Sequence, residues 1–167
     1  MKALLAFPAL LVAAPVAAQD NRVEKLIIAD GVHTFLAYLA DADKAALSRA
    51  MQPEGVIFIH NRMEPDKPRI DIVPVADHLV RWKNSPSPVA EYMHIETILV
   101  DGDMAQVWGP YYFTIGGKLS HCGRNSLSLV KTPALWKVAN VSFSMDPPEK
   151  CDAVVAAVND GIRRMGE

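Results

Sequence analysis

Four polar residues in the second half of the chain have types suited to proton chemistry: Glu96, Tyr111, His121 and Asn125. An imidazole titrates near neutral pH, so a partly buried His121 beside a phenol or carboxylate could take or give a proton. Tyr111 and Asn125 could donate hydrogen bonds to a carbonyl or enolate oxygen. Glu96, if held in an apolar cleft, would have a raised pKa suited to proton abstraction. Each also has a plainer role, with His121 bonded to a neighbouring side chain and the other polar groups satisfying it and the backbone. His94, Glu96 and His121 make a known metal-ligand set, but they fall on different strands with glycines between them. No metal or other cofactor is therefore expected. The chain has no phosphate loop, nucleophile elbow or zinc spacing.

Strands and their turns must bring these residues together. Asp101-Gly102 reads as a two-residue hairpin turn that pairs Val100 with Asp103, and hence His94 with Gly109 and Tyr92 with Tyr111. A three-residue loop at Ile115-Gly116-Gly117, with Gly117 left-handed, puts Val107, Tyr111 and Phe113 on one face with His121, Asn125, Leu127 and Leu129. A four-residue loop at Lys131-Thr132-Pro133-Ala134 then sets Leu129 opposite Trp136 and Asn125 opposite Asn140. In this register His94, Gly109, Gly123 and Ser142 form a low row, a pit edged by Tyr92, Tyr111, His121 and Ser144 on one side. Glu96, Asn125 and Asn140 edge the other side, Trp136 belongs to an apolar floor, and Asp146 is a second inner-face carboxylate near the strand end. An apolar cleft with a few convergent polar groups is the usual shape of a small-molecule site. The same register turns Ala139, Val141, Phe143 and Met145 to the outer face. That strip predicts a homodimer through the outer face of the sheet, or coverage by the segment from Cys151 to Met165.

The elements before the strands read as helical. Ile28, Val32, Phe35, Leu36 and Leu39 recur at helical spacing, and Asp41 or Asp43 can cap a second helix through Lys44-Ala45-Ala46-Leu47. Gly55 to His60, apolar from Val56 to Ile59, predicts a short buried strand, Pro65, Pro68 and Pro74 a loop, and Val75 to Trp82 a third helix. Helices first and antiparallel strands second predict an α+β domain, with helices packed on one face of a curved sheet.

The ends and the charge bound the setting. Met1-Lys2, an apolar run to Val16 and the small residues Ala17-Ala18 read as a secretory signal at residues 1–18, leaving a single domain at 19–167. This predicts a secreted or periplasmic protein with no membrane attachment after cleavage. A formal charge of -2 offers no basic field for nucleic acid. The two cysteines, Cys122 and Cys151, can form a disulfide in an oxidising compartment or remain thiols.

The helical first half, the turn Asp101-Gly102-Asp103-Met104-Ala105, the strand Val107 to Phe113 and Trp136-Lys137-Val138 resemble the nuclear transport factor 2-like superfamily. Within it, His121-Cys122-Gly123-Arg124-Asn125 and the late Cys151 are most similar to the group named for lumazine binding. The resemblance implies a cone-shaped α+β fold with a pocket between sheet and helices, often dimeric through the sheet. It leaves three functions open: a small-molecule binder, an isomerase, dehydratase or cyclase, and an interaction module.

Overall fold

The computed structural model describes residues 16–85 and 88–165. The expected leader lies outside these residues except for its last three, which open helix α1 (Val16–Ala40). α1 buries Ile28, Val32, Phe35 and Leu39, the residues whose spacing predicts it. Asp43 then caps a 3₁₀ helix (Lys44–Arg49), accepting from the Ala45 N–H at 3.1 Å. The strands are β1 (Val56–Asn61), β2 (Arg69–Pro74), β3 (Val89–Met93), β4 (Thr97–Asp101), β5 (Met104–Ile115), β6 (Lys118–Lys131) and β7 (Trp136–Met145). Helix α2 (Val75–Trp82) follows β2, and α3 (Asp152–Met165) ends the described chain.

The strands make one curved sheet in the order β2-β1-β7-β6-β5-β3, with β4 also paired to β5. Among the strands of the described residues, only β1 and β7 pair in parallel. The fold is α+β, as the order of elements predicts. α1 and α2 cover the inner face, where Ile28, Val32, Phe35 and Leu39 join Val107, Leu127, Leu129 and Val138 in one core. α3 lies on the outer face, where Gly161 packs on His94 and Tyr112 donates to Asn159 Oδ1 at 3.1 Å. The expected loop between Pro65 and Pro74 holds β2, an edge strand. Proline is tolerated at such an edge because no further ladder needs its N–H.

Three local irregularities set the register, and they redirect several predicted side chains. The first turn closes on Asp101 and Met104, with Gly102 at φ 60° as its first central residue. Between Met93 and Thr97 the chain gains one residue relative to β5, since Tyr92 pairs Tyr112 whereas Ile98 pairs Val107. Because side chains alternate with period two, that single residue reverses the face. Glu91 and Met93 therefore point inward. Tyr92, His94 and Glu96, expected on the inner face, are on the outer one.

The second turn is the two-residue Gly116-Gly117, both left-handed at φ 59° and 75°, and not the expected three-residue loop. Alone it would reverse the faces of β6. A bulge at Ser120 restores them, so that Phe113 pairs His121, Tyr111 pairs Gly123 and Gly109 pairs Asn125. The expected inner set survives, two residues along from the predicted partners.

The third loop has the expected four residues, but at Thr132 to Leu135, with Lys131 opposite Trp136. A further irregularity falls at Ala139: Leu129 pairs Val138, whereas Ser128 pairs Asn140. The rest of β7 is consequently inverted. Val141, Phe143 and Met145 face the helices, and Asn140, Ser142 and Ser144 face outward, the reverse of the prediction. The apolar strip that suggested a second copy on the outer face is thus part of the interior.

Candidate functional site

The inverted end of β7 helps to build a cavity of about 230 Å³ between the sheet and the helices. Phe35 and Leu39 of α1 and Trp82 of α2 form one wall, with the sheet opposite contributing Ile57 and Ile59 of β1 beside Val141, Phe143 and Met145 of β7. Four polar side chains reach it: Glu91, Asn125, His121 and His78. The volume lies just below the usual range of small-molecule sites, roughly 300–1,000 Å³, and the apolar lining with few polar groups is of the usual kind.

Glu91 is the chemically most distinctive of these residues. The residue is partly buried, and burial of its carboxyl pushes it up to about 7, against the opposing effect of the Asn125 hydrogen bond. Asn125 donates from Nδ2 to Glu91 Oε1 at 2.7 Å and lies 3.7 Å from the Met93 sulfur. A carboxyl with this pKa is present in both protonation states at neutral pH, so it can act as a base or as a hydrogen-bond donor.

His121 stacks on Phe113 with ring centroids 5.1 Å apart, and its Nδ1 lies 3.1 Å from the Ser120 hydroxyl at the bulge. Burial lowers its pKa to about 4, so the ring is neutral at physiological pH. His78, whose ring is tilted against that of Trp82 with centroids 5.3 Å apart, is also lowered, by burial first and then by Arg81. The cavity therefore presents one titratable acid and two neutral imidazoles.

Of the predicted site residues, the structure brings His121 and Asn125 into this cavity. Tyr111 is buried beside it and donates its hydroxyl to the Ser144 carbonyl at 2.9 Å. Burial raises the phenol's pKa, with further contributions from Glu91 and Asp146. Between the Asn125–Phe143 pair and the isolated Cys122–Asp146 bridge the β6–β7 ladder is interrupted, and there Tyr111 supplies a donor to the Ser144 carbonyl. Trp136, expected in the pocket floor, belongs to the core under Gly31 of α1 and does not line the cavity.

The other predicted residues sit on the outer face. Glu96 pairs with Arg124, whose guanidinium lies 5.8 Å from the Trp108 ring centroid. Tyr92 stacks on Tyr112, and Asn140 Oδ1 accepts from the Val56 N–H at 2.9 Å. Gly123, Ser142, Ser144 and Asp146 line a separate outer groove with His60 and Arg62. Asp146 there faces Arg62 at 3.5 Å. The predicted pit is absent, because a Cβ at Gly109 would overlap the His94 carbonyl and one at Gly123 the Ser144 carbonyl. These glycines admit close backbone approach.

Glu91 escaped the sequence reading because its face depends on the extra residue between Met93 and Thr97. The residue types held a signal: in Val89-Ala90-Glu91-Tyr92-Met93, the apolar Val89 and Met93 share the parity of Glu91. Cys122 and Cys151 form a disulfide, Cα atoms 5.6 Å apart, on the outer side of the sheet. It ties β6 to the turn before α3.

No protein-family model matches the sequence, and no curated protein does. Solved structures match the fold. A protein of unknown function from Mycobacterium tuberculosis aligns at a TM-score of 0.61 and 16% identity, covering 91% of this chain and 94% of that one. An NTF-2-like protein with a cystatin-like fold from Novosphingobium aromaticivorans gives 0.57 and 16%, covering 84% and 93%. An NTF-2-like protein of unknown function from Silicibacter pomeroyi gives 0.57 and 13%, covering 75% and 98%. At these identities the likeness is one of fold: the chain has the NTF-2-like architecture, as its motifs suggest.

Proposed function

We propose that this protein binds a small, mostly apolar molecule in the cavity between sheet and helices. The observation that carries this is Glu91, a carboxyl buried in an apolar cavity and held by Asn125. Such a placement opposes folding, and a bound ligand that uses the carboxyl would account for it. Export is part of the proposal, supported by the leader-like residues 1–18 and by the disulfide. Among the described residues no helix is long and apolar enough to cross a membrane. The run His121 to Asn125 and the late Cys151 support placing the chain beside the lumazine-binding group.

Native mass spectrometry of the purified protein tests the binding directly. The expected result is a co-purifying small molecule that is lost in Val141→Trp, which fills the cavity. A protein that carries nothing and takes up no cyclic probe argues against it.

The same carboxyl favours a second reading, proton transfer at carbon. Glu91 would take a proton α to a carbonyl, and the neutral His121 would bond the developing enolate oxygen. Deuterium exchange into cyclohexanone in D₂O measures this. Glu91→Gln should slow it by about 10²–10⁴-fold, and equal rates in both proteins remove the reading.

A further inference from the structure

We infer that the cavity's ligand is an uncharged one-ring molecule bearing an acceptor oxygen, and that this oxygen takes the Trp82 indole N–H. The inference rests on the binding reading above and narrows it to a chemical class.

Trp82 lines the cavity, and its Nε1 is buried with no protein partner among the described residues. An indole N–H can only donate, and leaving it unpaired away from water carries its full desolvation cost. Two other buried nitrogens lack partners, His94 Nδ1 and Trp136 Nε1. Their residues pack against Gly161 and Gly31, away from the cavity. Trp82 is thus the one whose missing acceptor a cavity ligand can provide. Its ring is held in place by the edge of Phe113 at 6.5 Å and by the Lys44 ammonium at 5.8 Å.

The charge of the lining selects among ligands. Among the described residues, neither arginine nor lysine lines the cavity. His121 and His78 are held neutral by burial. The Lys44 ammonium beside the Trp82 ring is taken up by the Leu39 carbonyl at 3.1 Å, so an anionic ligand would lie beside Glu91 with no counter-charge from the lining. An ammonium could pair with Glu91, but it has no acceptor and would leave the Trp82 N–H unpaired. A neutral molecule with a carbonyl or ether oxygen satisfies the donor without burying a new charge. Size sets the ring count, since 230 Å³ holds about eight groups of water size at ~30 Å³ each.

The test compares acetophenone, toluene, benzylamine and benzoate by ligand-observed NMR titration of the wild type and Trp82→Phe. Acetophenone should bind the wild type about tenfold more tightly than toluene, the worth of one net hydrogen bond, and more tightly than either charged probe. In Trp82→Phe that advantage should vanish while toluene affinity stays within about threefold, which also shows that the variant is folded. Equal binding of acetophenone and toluene by the wild type overturns the inference, as does an advantage that survives Trp82→Phe or a charged probe binding best. In each of those cases the binding reading stands. If no probe binds, the binding reading itself fails.

Discussion

The side-chain amide of Asn125 donates to the carboxyl of Glu91 at 2.7 Å, joining β6 to β3 across β5 inside the cavity. Asn125 is 3% exposed and Glu91 is partly buried, so the pair is largely screened from solvent. Among the described residues this gives the cavity lining a single titratable acid.

That acid should make stability fall as pH rises. Glu91 ionises near 4.5 in an unfolded chain and near 7 in the folded one. The folded state therefore holds more protons between these values, and stability drops across the window. Glu91→Gln removes the effect. Its stability relative to wild type should be unchanged below pH 4.5 and should grow to an advantage of about 3 kcal/mol by pH 7, at roughly 1.4 kcal/mol per unit. Urea unfolding at several pH values measures it, and a pH-independent difference would contradict the buried carboxyl.

His121 works in the opposite sense. Its pKa falls from 6.5 to about 4 on folding, so the unfolded chain binds the extra proton and stability drops as pH falls through that range. The Glu91 and His121 windows overlap between 4.5 and 6.5, where the two slopes oppose each other. His121→Gln should therefore expose the Glu91 slope, and Glu91→Gln the His121 slope. Two variants with the same pH profile would refute the assignment.

Tyr111→Phe should act on the fold more than on the cavity. It removes the donor to the Ser144 carbonyl, at a cost of about 1–3 kcal/mol for a buried acceptor left unpaired. Affinity for toluene should change less than threefold. Undiminished stability together with lost proton exchange into cyclohexanone would instead make Tyr111 a donor to the reacting molecule.

The disulfide should serve α3. Cys122 and Cys151 are 29 residues apart in sequence, and closing a loop of that length contributes roughly 3–4 kcal/mol in the chain-entropy model. Replacing both with alanine should lower stability by up to that amount and speed amide exchange in α3. Exchange in α1 and β1 should stay slow, because the bridge is on the outer face. Uniform loss of protection would show that α3 does not loosen by itself.

The parts of this structure that follow from repeating side-chain patterns were legible in the sequence. The apolar spacing of Ile28, Val32, Phe35 and Leu39 predicts α1, and the apolar alternation of Val107, Leu127, Leu129 and Val138 predicts the inner face. Asn125 and His121 were placed on that face because the bulge at Ser120 cancels the shorter Gly116-Gly117 turn. Register beyond a bulge was not legible, since one inserted residue exchanges the faces and neither Ala139 nor the stretch after Met93 carries a residue type that demands it. Hence simple alternation puts Val141 and Phe143 on the outer face, leaves Glu91 unmarked, and directs Ser142, Ser144 and His94 to a pocket they do not line.

The most direct test of the account is methyl NMR during a toluene titration. An apolar cavity of this size takes benzene-like solutes. Shifts are expected at Leu39, Ile57, Val73, Val141 and Met145, which line it, and they should disappear in Val141→Trp. Absence of shifts at these methyls, or shifts confined to Val154 and Val155 on the outer face, would contradict it.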